Sequence, residues 1–262
     1  MGKPFQRFKK RKIKDLKSSE NKVALITGAG KRLGKEIAEA VAEAGYNVIL
    51  HYNTSTKSEI AKIKNEFEKF SGEVFPIKAN LSKVTEIKKL FRTINNKFGR
   101  LDLLINNAAI FRKVDFYDID EKVFDEFINI NLKSVLFCSI EAAKIMNKSK
   151  EKNLQIINIA SLGGILNWVD HIPYSVAKTG VIKLTQLMAK RLAPKILVNA
   201  IAPGTIWIEN DANINVIKNE REKYPVKRFG KAKDITSLIN FLINKNKYIT
   251  GQTFIVDGGR SW

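Results

Sequence analysis

Tyr174 and Lys178 stand four residues apart in YSVAKTGVIKLTQLMAKRLA, a stretch with helical periodicity that places both side chains on one face of a helix. A phenol titrates near 10. A lysine cation about 4 Å away is worth roughly 4 kcal/mol at an effective dielectric near 20, enough to bring the tyrosine close to 7, where general acid catalysis works best. Ser161, at the end of the apolar run LQIINIA, offers a hydroxyl that can donate to a carbonyl oxygen and stabilise a developing alkoxide. A second cluster lies near the start of the chain: TGAGKRLG at residues 27–34, with VALI before it and EIAEAVAEAG after it. A strand, a glycine turn and a helix make an anion site, because the first N–H groups of the helix are unpaired and point at whatever sits there. Gly28, Gly30 and Gly34 open the backbone, whereas Arg32 takes the place of a middle glycine and, with Lys31, brings charge to the loop.

These residues need a frame, and the pattern from residue 22 onward supplies one. Short β-branched runs (KVALIT, NVILHY, EVFPIKAN, LDLLINNAA, LQIINIAS, ILVNAIAPG and TFIVDGG) alternate with helix-length segments such as KSEIAKIKNEFEKF and VTEIKKLFRTINNKFG. Strands that are almost continuously apolar suit a parallel sheet covered on both faces. The expectation is an α/β fold, a doubly wound parallel sheet of seven strands flanked by helices. Ligands of such sheets sit beyond the carboxyl ends of the strands. The informative residues stand there, in TGAGKRLG, HYNTS, ANLS, NNAAIF, IASLGG and APGTI.

Composition limits the alternatives. The 262 residues are 44% hydrophobic, enough for one large core, and residues 23–262 read as a single domain without linker or repeat. No apolar run approaches the roughly 18 residues needed to cross a bilayer, and the start lacks the order of a secretory signal, so a cytoplasmic protein is expected. Cys138 stands alone in SVLFCSIEAA and reads as core; with only two histidines, no metal-ligand spacing can be drawn. The formal charge is +20, of which residues 1–22 carry +7. That segment reads as a basic flexible arm, either a plain solvated extension or a contact for anionic surfaces, nucleic acid or an organellar import system.

Taken together, TGxxxRxG at 27–34, NNAA at 106–109, Asn131 in NINLKS, Ser161, Tyr174-Ser-Val-Ala-Lys178 and Pro203-Gly204 resemble the short-chain dehydrogenase/reductase family over nearly everything after the arm. The resemblance implies a Rossmann-type fold, a nicotinamide cofactor and a homotetramer or homodimer. It implies a catalytic set of Ser161, Tyr174, Lys178 and Asn131, the last holding a water that passes protons towards the lysine. It also implies a cofactor cradle of Gly28, Lys31, Arg32, Leu33 and Gly34, then Asn53, Thr54 and Ser55, Asn80 and Leu81, Asn107, Ala108 and Ala109, Tyr174 and Lys178, and Pro203, Gly204 and Thr205. Asn106 and Asn107 have loop stitching as a further reading, and Asn131 the support of a helix kink. Where NAD-binding sites place an acid after the second strand, this chain has Tyr52 and then Asn53-Thr54-Ser55, which with Lys31 and Arg32 suits the 2′-phosphate of NADP(H).

The Arg-containing loop and HYNTS further resemble the pteridine reductase branch, in which the phenylalanine after the paired asparagines, here Phe111, stacks on a pterin. Ser161 departs from that branch, which carries Asp there, and looks more like a 3-oxoacyl-carrier-protein reductase. The expected activity is NADPH-dependent reduction of a small carbonyl or pterin, slightly favouring the pterin. Phe111, Ser161, Tyr174 and Trp207 are the expected substrate residues. A 3-oxoacyl-carrier-protein reductase is the alternative, and a non-catalytic NADP-binding sensor with a nucleic-acid-binding arm is the reading from outside enzymology.

Overall fold

A computed structural model describes residues 21–152, 154–208 and 221–262; most of the basic arm and most of the polar stretch after Trp207 lie outside them. Seven strands form one parallel sheet: β1 (Val23–Ile26), β2 (Asn47–Tyr52), β3 (Val74–Lys78), β4 (Leu103–Asn106), β5 (Leu154–Ile159), β6 (Ile196–Pro203) and, after two short strands, β9 (Thr253–Val256). Their order across the sheet is β3-β2-β1-β4-β5-β6-β9. Each corresponds to one of the seven apolar runs of the sequence. The order reverses between β1 and β4, whose register pairs Ala24 with Leu103 and Ile26 with Ile105. This is the switch point at which an open α/β sheet leaves a crevice.

Both faces of the sheet are covered, which is why VALI is apolar throughout. Ala24 and Ile26 pack in a core with α1 (Arg32–Glu43), α2 (Lys57–Glu66) and α7 (Ala232–Asn244), through Ile37, Val41, Ile60 and Ile239. Val23 and Leu25 face the opposite core, built with α3 (Val84–Phe98), α5 (Ser134–Met146) and α6 (Ile172–Leu192) through Ile87, Phe91, Cys138 and Met188. Cys138 is fully buried, as its apolar setting predicts. A further helix, α4 (Glu121–Ile128), runs through a π-helical turn (Asn129–Lys133) into α5. The short strands β7 (Ile206–Trp207) and β8 (Gly230–Lys231) pair with each other beside the end of β6. Among the described residues no helix is long and apolar enough to cross a membrane.

Candidate active site

The cleft beyond the carboxyl ends of β1, β4, β5 and β6 encloses about 570 Å³. At its first wall, β1 ends in the glycine turn. Gly28 has φ +66° and lies so close to the loop after β4 that a Cβ would come within 2.9 Å of the Ala108 backbone; a Cβ on Gly34 would overlap the Gly28 carbonyl. Only glycine permits this crossing of turn and helix. Arg32, by contrast, opens α1 with φ +52°, a left-handed conformation held by a residue with a side chain. The start of α1 has no capping side chain and no acid in its first turn, leaving the positive end of the helix to a ligand.

Three side chains lock this turn. Thr27 Oγ1 accepts the backbone N–H groups of Asn107 and Ala108 at 2.9 and 3.0 Å, and Asn107 Nδ2 donates to the Thr27 carbonyl at 2.9 Å. His51, buried at the end of β2, accepts the Gly28 N–H on Nδ1 at 3.0 Å, while its Nε2 lies 3.0 Å from the Ala79 carbonyl. Those partners fix the neutral tautomer with the proton on Nε2. Burial pushes the imidazole down to about 4 against the smaller pull of the Ala79 carbonyl. The sequence offers no sign of this clamp beyond the histidine's place in the strand.

Farther along the same wall, Lys31 Nζ donates to Thr54 Oγ1 at 3.4 Å and Ser55 Oγ donates to the Gly30 carbonyl at 3.3 Å. Lys31, Arg32, Tyr52, Asn53, Thr54 and Ser55 all line the cleft, and among the described residues no Asp or Glu lines it. Leu33, Leu81, Asn107, Ala108, Ala109, Pro203, Gly204 and Thr205 line it too. Asn80 does not. Its Oδ1 accepts from Ser82 N and Ser82 Oγ at 3.0 and 2.8 Å, closing the turn before α3.

On the opposite wall, α6 carries Tyr174 and Lys178 on its buried face, one turn apart as their spacing predicts. Ser161 follows β5, where its hydroxyl acts on the Tyr174 phenol and accepts the Gly163 N–H at 3.1 Å. Lys178 Nζ donates to the Ile159 carbonyl at 2.7 Å and stands 5.7 Å from the Tyr174 ring centroid. The electrostatics differ from the sequence-based expectation of a phenol drawn towards 7. Burial raises the Tyr174 phenol above its ordinary value, and the neighbouring Ser161 hydroxyl opposes that only in part. Burial pushes the Lys178 ammonium down to about 8. Tyr174 is therefore a protonated phenol at neutral pH, a donor rather than a preformed phenolate.

Asn131 lies at the π-helical turn and is fully buried. Its amide brackets Ile110, accepting the N–H at 2.8 Å and donating to the carbonyl at 3.0 Å. It does not reach the cleft wall, although Ile110 does. Asn106 likewise works behind the wall, donating to Asn158 Oδ1 at 2.9 Å and to Ser139 Oγ at 3.1 Å.

Aromatic rings close the mouth around Tyr174. Phe111 stacks on His171 with centroids 4.6 Å apart and meets Tyr174 edge-on at 4.9 Å; Trp168 lies parallel to Tyr174 at 6.4 Å. Trp168 lines the cleft where Trp207 had been expected; Trp207 pairs with Lys231 in the β7–β8 ladder and is not part of the wall. Trp168 fits because Gly163 leaves room for it, a Cβ there falling 2.6 Å from the indole. The face of Phe111 stacked by His171 is closed to a ligand.

A family model described as enoyl-(acyl carrier protein) reductase matches residues 28–261. The 3-oxoacyl-(acyl-carrier-protein) reductase FabG of Staphylococcus epidermidis is 37% identical over 243 residues, covering 91% of this chain and 98% of the relative. A 3-oxoacyl-(acyl-carrier-protein) reductase of Synechocystis sp. is 36% identical over 240 residues, 90% of this chain and 96% of the relative. Among solved structures, a blue fluorescent protein from a metagenomic library in complex with NADPH shares the fold, with a TM-score of 0.85 at 23% identity over 94% of this chain and 100% of that one. These matches favour the 3-oxoacyl alternative over the slightly preferred pterin reading. On this coverage, the chain belongs to the short-chain dehydrogenase/reductase family of oxidoreductases.

Proposed function

We propose that the protein is an NADPH-dependent reductase of a 3-oxoacyl thioester borne on an acidic carrier protein. The carrying observation is the cleft itself: Ser161, Tyr174 and Lys178 sit together on one wall, while Lys31 and Arg32 sit on the other with no carboxylate among the described lining residues. Such a lining suits a dinucleotide with a third phosphate and disfavours the acid-dependent recognition of a bare ribose hydroxyl. The close-packed Gly28 and Gly34 and the uncapped start of α1 fit a pyrophosphate. When bound, the cofactor supplies the hydride.

The chain's own residues position the carbonyl and supply the proton. Ser161 donates a hydrogen bond to the carbonyl oxygen, and Tyr174, protonated at neutral pH, gives its proton to the developing alkoxide. The Lys178 cation then stabilises the phenolate left behind. Asn131 holds the Ile110 stretch of the wall and has one amide hydrogen left over for a water on the way to Lys178. The relatives' substrate class, Ser161 and the strongly basic chain support an acyl thioester on an acidic carrier. Exposed Phe241 on α7 and Ile255 on the edge strand β9 suit a homotetramer or homodimer.

The test is steady-state reduction of acetoacetyl thioester and of dihydrobiopterin, side by side, in wild type and Ser161→Asp. Reduction of the thioester by wild type, with the pterin inert, is expected. Turnover of dihydropterin with an inert thioester overturns the proposal.

A further inference from the structure

We infer that Tyr224 is a positioning residue for the cleft, acting through Thr205. The inference rests on the NADP(H) reading of the cleft. Tyr224 lies far from the Tyr174 helix in sequence and follows no strand of the main sheet, yet it is buried, and its hydroxyl donates to Thr205 Oγ1 at 2.8 Å. Thr205 is exposed to the cleft directly after Pro203-Gly204. A hydroxyl has one hydrogen to donate and two lone pairs. With the phenol donating to one lone pair, the Thr205 O–H stays available to donate to an acceptor oxygen of the bound ligand, and its rotation is restricted by the bond it already accepts.

The surroundings of Tyr224 make it an anchor. Its ring meets Phe229 edge-on at 5.3 Å. The next two residues are seated on the turn after β9: a Cβ on Gly258 would come within 2.6 Å of Val226 and one on Gly259 within 2.7 Å of Pro225, and both glycines have positive φ. Val226 N donates to the Gly258 carbonyl at 3.3 Å. Asp257 fixes that turn by accepting the N–H groups of Gly259 and Ser261 at 2.9 and 2.7 Å. From the other side, Gly230 N donates to the Thr205 carbonyl at 3.0 Å. Thr205 is thus tied through both its backbone and its side chain to the Tyr224–Gly230 segment, and only the side-chain tie reaches a group that can meet a ligand. A phenol in this place costs a buried polar atom that a plain apolar residue avoids. The partner that satisfies its hydroxyl is the cleft threonine.

Tyr224→Phe keeps the ring packing and removes the bond; Thr205→Val keeps the shape and removes it from the other end. NADPH dissociation constants are measured by fluorescence titration without substrate, alongside melting temperatures and the KM and kcat for acetoacetyl thioester. Each single change is expected to weaken NADPH roughly 2- to 10-fold, the range of one neutral hydrogen bond, with the double variant no worse than the weaker single. Thr205→Ser is expected to retain wild-type binding. A Tyr224→Phe protein with a lowered melting temperature but wild-type NADPH affinity and KM overturns the inference, as does a double variant whose losses multiply. If Tyr224→Phe fails to fold, the Thr205→Val and Thr205→Ser pair decides: equal affinities of the two overturn it. Absence of NADPH binding by wild type instead overturns the cofactor reading, and the inference with it.

Discussion

Lys178 is a charge kept in a place where the fold disfavours it, and replacing it with methionine should make the protein more stable while removing its activity. Its ammonium is buried, with its ordinary value of 10.5 pushed down to about 8. At about 1.4 kcal/mol for each pKa unit, that depression corresponds to a destabilisation of about 3 kcal/mol. The folded-state value is the lower one, so the whole cost is present below pH 8, shrinks as pH rises from 8 to 10.5, and is gone above. Methionine also forfeits the bond to the Ile159 carbonyl, about 1–2 kcal/mol. The balance at pH 7 is a gain of about 1–2 kcal/mol, and for a chain of this size each kcal/mol moves the melting temperature by about 2–4 °C. Thermal unfolding of wild type and Lys178→Met from pH 7 to 11 should show the variant more stable at pH 7 and the curves crossing between 8 and 10.5. A variant less stable than wild type at pH 7 refutes the reasoning, because Lys178 would then carry no net cost of burial.

Three further outcomes follow from the site. Protonation of His51 is resisted by the fold, whose value of about 4 lies below the ordinary 6.5, so the unfolded chain binds the extra proton first. Stability should therefore fall as pH drops from 6.5 towards 4, by about 3 kcal/mol in all, and urea denaturation of His51→Asn should show a flatter acid limb even though the variant is weaker at pH 7. Arg32→Gly relieves a left-handed residue, a strain of about 1–2 kcal/mol, against about 0.5–1 kcal/mol of added chain entropy; the variant should unfold at equal or slightly higher denaturant while binding NADPH less tightly. Lys31→Ala with Arg32→Ala should weaken NADPH far more than NADH, with the preference shrinking in salt; equal losses measured by titration would place both cations on the shared pyrophosphate.

Much of this was legible in the chain because the features are local. Continuous apolar runs report strands covered on both faces, and all seven appear in one sheet. The four-residue spacing of Tyr174 and Lys178 survives because α6 is regular through that stretch. What was not legible depends on three-dimensional neighbours. Asn80 turned inward to Ser82 because a short polar side chain bonds its own turn before it reaches across a cleft. Trp168 rather than Trp207 walls the site because Gly163, five residues away, leaves a slot for an indole, and nothing in the sequence signals that contact. The phenol of Tyr174 moved the opposite way from the expectation because a Coulomb argument from spacing alone omits burial. The His51 clamp and the Tyr224–Thr205 tie join residues 23 and 19 positions apart, which no local pattern encodes.

The central claim is that Tyr174 delivers the proton in the reduction, with Ser161 and Lys178 stabilising the charges that develop. Tyr174→Phe keeps the ring contacts with Phe111 and Trp168 and removes the hydroxyl alone. The account predicts that NADPH oxidation with acetoacetyl thioester, followed by absorbance under saturating cofactor, falls roughly 10²- to 10⁴-fold while the NADPH dissociation constant stays within about twofold, the size of a contact that binding does not use. Turnover by Tyr174→Phe equal to that of wild type would contradict it.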